Sequence, residues 1–203
     1  MLDNATIKNS AGPAIYVQSA DKVYLTVKDG TNNTISDGSS YNVTDGDTTV
    51  DAAIFSRADL TINGSGTLHV NGNYKHGIVS KDDLVITAGI LNVNSKNVGL
   101  NGKDCVKISN GTFTINAGSD GIRSDNEEDA TRGYIYIEGG SLNVTAGNDG
   151  IQAQTVLKTN NATITVKTGA GSSGSLTTTT ESYKGLKAVS DILISGGTYH
   201  INT

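Results

Sequence analysis

The sequence predicts an all-β solenoid, a parallel β-helix of about seven coils, and three observations predict it. A glycine followed by isoleucine or leucine recurs at Gly77, Gly99, Gly121, Gly150 and Gly185, with alanine in the glycine place at Ala14 and Ala53. From Ala53 onward the steps between these positions are 24, 22, 22, 29 and 35 residues, and a period in this range marks a stacked repeat. Within each unit two more apolar beats alternate strictly, while no window holds a sustained helical period.

The first beat of each unit is a short run that usually ends in a small residue, as in Gly77-Ile78-Val79-Ser80, Gly121-Ile122-Arg123-Ser124 and Gly150-Ile151-Gln152-Ala153. The second beat reads Leu60-Thr61-Ile62, Leu84-Val85-Ile86, Val106-Lys107-Ile108, Ile135-Tyr136-Ile137 and Ile192-Leu193-Ile194. The third reads Leu68-His69-Val70, Leu91-Asn92-Val93, Phe113-Thr114-Ile115, Leu142-Asn143-Val144, Ile164-Thr165-Val166 and Tyr199-His200-Ile201. Turn pairs such as Asn63-Gly64, Asn110-Gly111, Gly139-Gly140 and Gly196-Gly197 separate the beats. Three strands per coil, each stacked on the same beat of the next coil, give three parallel sheets and a stack about 34 Å long at about 4.8 Å per coil. The extra residues of the longer units, Ser36 to Asp51, Asp125 to Arg132 and the Gly/Ser/Thr run after Gly169, are expected to be loops outside the stack.

Composition narrows the function. The 203 residues carry 15 Lys and Arg against 20 Asp and Glu, for a formal net charge of −5, with no basic cluster. Nucleic acid is excluded as a partner, since phosphate binding needs concentrated cations. Cys105 stands alone, so there is neither a disulfide framework nor a thiolate metal site, and it is expected to be a core or near-core thiol. His69, His76 and His200 show no zinc spacing. No run is apolar enough to span a membrane. One domain covers residues 1–203, read as a piece of a longer chain without its leader and first coils. The Asn-x-Ser/Thr triplets are what chance gives in so Asn- and Thr-rich a chain.

The acids are the candidate metal ligands. Asp120 and Asp149 each precede a coil-opening glycine, so stacking places their backbones about 4.8 Å apart. Two carboxylates that close repel unless a cation intervenes. Asp104, Asp125 and Asn126 follow the first beat and belong at the next corner, where Glu127, Glu128 and Asp129 add further acids. Asp45, Asp47 and Asp51 form a second cluster, spaced like the opening of a calcium loop without its closing glutamate, and Asp82-Asp83 a third. Hard oxygen ligands in loops suit Ca2+, and soft ligands for zinc or copper are missing.

A candidate polysaccharide-binding face is the outward column of the first beat: Tyr16, Phe55, Val79, Asn101, Arg123, Gln152 and Lys187. Aromatics at one end and hydrogen-bonding groups at the other suit an extended sugar chain. The remaining tyrosines, Tyr134 and Tyr136 among them, are further stacking candidates.

Several blocks resemble a known family. Ala52-Ala53-Ile54-Phe55-Ser56, Asp59-Leu60-Thr61-Ile62-Asn63-Gly64, Ser80-Lys81-Asp82-Asp83-Leu84-Val85-Ile86-Thr87, Ser124-Asp125-Asn126-Glu127-Glu128 and Gly133-Tyr134-Ile135-Tyr136-Ile137-Glu138-Gly139-Gly140 resemble secreted bacterial carbohydrate-binding β-helix proteins related in fold to family 9 pectate lyases. The resemblance implies a right-handed helix, bound calcium, binding of cellulosic or acidic pectic polysaccharide, and export to the medium or cell surface. That family often has Asp before the coil-opening glycine. Asp120 and Asp149 keep it, while His76, Val98 and Lys184 depart.

Three functions are consistent with the residues. The first is a calcium-bound, non-catalytic polysaccharide-binding module. The second is a lyase acting by β-elimination, with Lys103, Arg123 or Lys187 near the acids but no motif around any of them. The third is a subunit of a fibre or adhesin assembled head to tail through bare sheet edges. The binding module is the reading carried forward.

Overall fold

The computed structural model describes residues 1–42, 49–172 and 182–203. Its 22 strands wind as one stack. After β1 (Thr6–Lys8), seven coils of three strands follow. Coil 1 is β2 (Ile15–Val17), β3 (Lys22–Thr26) and β4 (Asn32–Ser36), and coil 2 is β5 (Ala52–Ser56), β6 (Asp59–Asn63) and β7 (Thr67–Gly72). Coil 3 is β8 (His76–Ser80), β9 (Asp83–Ile86) and β10 (Ile90–Ser95), and coil 4 is β11 (Leu100–Gly102), β12 (Cys105–Ile108) and β13 (Thr112–Ala117). Coil 5 is β14 (Ile122–Ser124), β15 (Tyr134–Ile137) and β16 (Ser141–Ala146). Coil 6 is β17 (Ile151–Ala153), β18 (Val156–Asn160) and β19 (Thr163–Thr168), and coil 7 is β20 (Leu186–Ala188), β21 (Asp191–Ser195) and β22 (Thr198–Asn202). Like strands pair in parallel into sheets of seven, seven and eight strands. This is the parallel β-helix that the alternation predicts.

The core is a set of columns. Ile54, Ile78, Leu100, Ile122 and Ile151 stack in the first sheet, Leu60, Leu84, Val106, Ile135 and Leu157 in the second, and Val70, Val93, Ile115, Val144 and Val166 in the third, all fully or nearly fully buried. In two strands a polar side chain takes an inward place in an otherwise apolar column, Asn33 in β4 and Thr159 in β18. Asn33 is buried because its amide donates to Thr31 Oγ1 and Thr67 O and its oxygen accepts from Ala5 N. In β18 Thr159 faces inward, its hydroxyl 2.6 Å from that of Tyr199.

The coil-opening glycine has a steric cause. A Cβ on Gly121 would lie 2.2 Å from Val144 Cγ1 and 2.6 Å from Gly150 O. Gly77, Gly99, Gly150 and Gly185 meet Val93, Ile115, Val166 and Ile201 in the same way. The third-beat β-branched residue fills the space a Cβ would need. The small residue that ends the first beat serves the following corner, where Ser56 and Ser80 hydroxyls both donate to Ala58 O.

Candidate functional site

The corner between the first and second sheets carries the densest group of acids. Asp59 and Asp83 open β6 and β9, and the backbone register puts Asp82 directly before Asp104 one coil on. One carboxylate oxygen from each of Asp59, Asp82 and Asp83 lies within 4.8 Å of the others. Burial, with the carboxylates of Asp104, Asp59 and Asp83, pushes the Asp82 carboxyl above its ordinary range. Lys22 lies 3.4 Å from Asp59 and Lys107 3.3 Å from Asp83, so Asp82 is the member with no cationic partner among the described residues.

Asp104, buried, continues the corner into the loop at 125–132. Its two oxygens accept from Asn126 Nδ2 and Arg132. Asn126 Oδ1 accepts the backbone N–H groups of Glu128 and Asp129, each at 2.9 Å, so this side chain folds its own loop. Glu127 is exposed, and Glu128 pairs with Lys103 at 3.1 Å. The expected gathering of Asp104 and Asn126 is present, with Arg132 against the acid.

Asp120 and Asp149 do stack on consecutive coils, and both are buried. Asp120 Oδ1 accepts the Asp149 N–H at 3.2 Å, and Asp149 Oδ1 accepts the Lys184 N–H at 2.9 Å. His76 does the same for Val98 through Nδ1 at 3.2 Å. The position before the glycine is therefore a side-chain-to-backbone ladder between coils, which histidine fills as well as aspartate. The charges are met from within: Arg123 lies 3.5 Å from Asp120 and 3.1 Å from Asp125, and Lys187 2.8 Å from Asp149. The repulsion that suggested an intervening ion is thus offset by side chains. Asp51 is paired with His76 at 3.4 Å and Lys75 at 3.6 Å, away from the other acids named. Asp45 and Asp47 lie outside the described residues.

The outward column of the first sheet has the expected register, Tyr16, Phe55, Val79, Asn101, Arg123, Gln152, Lys187. It is not the open face the alternation suggests. Phe55 and Val79 are buried with Val50 and Ala52 under Tyr41, from the insertion between β4 and β5. Tyr41 is fixed by its hydroxyl, which donates to Asp37 and Ala52 O, and by stacking on Tyr74 at 4.3 Å. Phe55 therefore has no surface to offer a ligand, and this expectation is corrected. Asn101 is also buried, its amide reaching Asp125 at 3.4 Å, while Tyr16 remains 41% exposed beside the Phe55 ring.

The open aromatic surface is instead on the second sheet. Lys107, Tyr136 and Lys158 succeed one another in register on coils 4, 5 and 6, with Tyr134 beside them. Lys107 Nζ lies 5.4 Å from the Tyr134 ring centre and Lys158 Nζ 5.1 Å from that of Tyr136. The sequence reading named the two tyrosines but not the lysines, nor Asp59 as a partner of Asp82-Asp83. Writing the second beats in register would have revealed both. Cys105 stands in the neighbouring column of that face, in register between Asp83 and Tyr134, fully buried, its thiol pushed up to about 12 by burial and the Asp83 carboxylate. The third sheet has no carboxylate in any of its eight strands, and Asn71, Asn94 and Asn116 form a ladder along its outer face at 3.4 and 3.0 Å.

Comparison with known proteins places these features in a family. The family model described as carbohydrate-binding domain-containing protein matches residues 1–203. A carbohydrate-binding domain-containing protein of Acetivibrio thermocellus is 39% identical over 94 residues, which is 46% of this chain and 33% of the relative, so the match spans a third of that protein. Among solved structures, the gadolinium derivative of the polysaccharide lyase-like protein from C. thermocellum superimposes with a TM-score of 0.89 at 36% identity, over 98% of this chain and 75% of that one.

Proposed function

Because the chain belongs to the family of carbohydrate-binding domain-containing proteins, we propose that it is a polysaccharide-binding module for plant cell-wall glycans, with calcium at the acidic corner. The observation that carries the ion is the Asp59–Asp82–Asp83 group, three carboxylates within 4.8 Å with too few cations beside them. A hard divalent ion takes six to eight oxygens, and three carboxylates on fixed strand ends with water complete such a shell. The similar structure is a gadolinium derivative, and gadolinium shares calcium's preference for oxygen. A protein of net charge −5 needs a cation between itself and an acidic glycan. The third sheet, flat and free of acids, suits an uncharged one. Such polymers lie outside the cell, so the reading includes export.

Lyase activity is not the preferred reading. Lys103, Arg123 and Lys187, its candidate bases, are each ion-paired to a carboxylate. Head-to-tail assembly is the remaining reading. Elution as a monomer at all protein concentrations would remove it.

The test of the main reading is retention on insoluble pectate and cellulose, in calcium and in chelator, for the wild type and Asp82→Asn. Pectate retention is expected in calcium and is expected to be lost in chelator and in the variant. Equal retention in all three cases would remove the ion from the corner, and no retention on either polymer would overturn the polysaccharide reading.

A further inference from the structure

The second sheet holds a recess of 280 Å³ between coils 5 and 6, lined by Ala130, Thr131, Tyr134, Tyr136, Thr155 and Lys158 among others. We propose that this recess binds one uronic acid residue of the glycan, its carboxylate on Lys158 and a ring hydroxyl on Tyr136, an inference that rests on the polysaccharide reading above.

The recess is built. Its floor is the outer face of β15 and β18, and its wall is the end of the 125–132 loop. That wall is tied down at three points. Thr155 Oγ1 donates to Arg132 O at 2.6 Å, Arg132 reaches both Asp104 and Asp129, and Asp129 accepts from the Thr131 N–H and hydroxyl at 2.9 and 2.7 Å. The loop that the sequence offers as a source of metal ligands thus serves here as a rigid edge. The volume suits a single sugar ring.

The lining chooses the ligand. It contains no carboxylate, in a protein with five more acids than bases. Lys158 is exposed, and among the described residues its ammonium interacts with the Tyr136 ring and with no hydrogen-bond or ion-pair partner. Among the described residues it is a cation without a counter-ion. Lys107, two coils back in the same column, differs by being paired to Asp83 at 3.3 Å. The Tyr136 hydroxyl has no hydrogen-bond partner among the described residues, whereas the threonine hydroxyls have donated their protons to the loop. Two free donors, one charged, with an aromatic edge beside them, fit a carboxylate on a hydroxylated ring. A phosphate would lack the use of the aromatic edge.

Position along the stack supports an extended acidic chain. The carboxylate corner at coil 3 and Lys158 at coil 6 lie on one sheet, three coils or about 14 Å apart. An ion-bridged uronate at the corner and a lysine-bound uronate in the recess would be anchors of one strand lying along the axis.

The experiment is calorimetric titration of the full chain in calcium with penta-galacturonate and with cellopentaose. The variants are Lys158→Gln, Tyr136→Phe and, as a charge-matched control on the third sheet, Lys167→Gln. Loss of a charge-assisted hydrogen bond is expected to weaken penta-galacturonate about tenfold in Lys158→Gln, less in Tyr136→Phe, and not in Lys167→Gln. Lys158→Gln that binds like wild type overturns the recess and leaves the polysaccharide reading standing. So does a wild type that holds insoluble polymer but not the pentamer. Equal weakening in both lysine variants reduces the effect to net charge and also overturns the proposal. A wild type that binds neither oligomer nor polymer overturns both readings. The exposed variants are checked by their melting temperatures.

Discussion

At the scale of single residues, the same side chain type does different work according to what its register brings beside it. Asp51 is a clear case. Burial raises its carboxyl, but the His76 hydrogen bond and charge, followed by Lys81 and Lys75, leave it below the usual range. A carboxyl lowered on folding adds stability above its unfolded value near about 3.9, and that stability is lost as pH falls through the lower folded value. Asp51→Asn is therefore expected to melt below wild type at pH 6, with the gap closing as the pH falls below about 4. A gap constant with pH would assign Asp51 a packing role only. Phe55 makes the converse point. Read as a binding residue, it is a buried side chain under Tyr41, so Phe55→Ala is expected to cost about 3–5 kcal/mol of stability in denaturant melts. Polysaccharide retention by the fraction still folded should be unchanged; a selective loss of retention would restore Phe55 to the binding surface.

The strand and corner are the scale at which the sequence was most legible. Alternation located most strands whose inward residues are Ile, Leu or Val, but not β3, whose Val23 and Leu25 pack against the core. It also missed β4 and β18, whose inward polar groups are satisfied by partners on neighbouring coils. No single strand's sequence shows that satisfaction. The same limit governed the site. Asp120 and Asp149 were correctly stacked, but the cations beside them come from Arg123 and from Lys187 one coil on. The roof over Phe55 is invisible in a strand pattern because loops outside the stack have no period. The coil-opening glycine is the legible feature with the firmest physical cause. In Gly121→Ala the added Cβ meets Val144 and Gly150 O well inside contact distance. The backbone of two adjacent coils would have to part. A loss of about 1–3 kcal/mol is expected from urea unfolding, and no loss would mean that the third-beat valine yields freely.

For the molecule as a whole, a stack in which each coil touches only its neighbours distributes stability in one dimension. Coils 3 to 5 have a neighbour on each side and inward residues at or near zero exposure. In coil 7, β21 is exposed along all five residues. Local opening costs least where fewest apolar contacts are broken, so backbone amides should exchange fastest in β20 to β22 and slowest in the central coils. An ion at the acidic corner adds a term to this gradient. Asp59, Asp82 and Asp83 join coils 2 and 3. An ion held by them ties those coils together and has no contact with coil 7. Calcium is therefore expected to slow exchange in β6 and β9 while leaving β21 unchanged. Uniform slowing along the stack would mean that calcium acts on the fold at large, and slowing confined to β14, β17 and β20 would return the ion to Asp120 and Asp149.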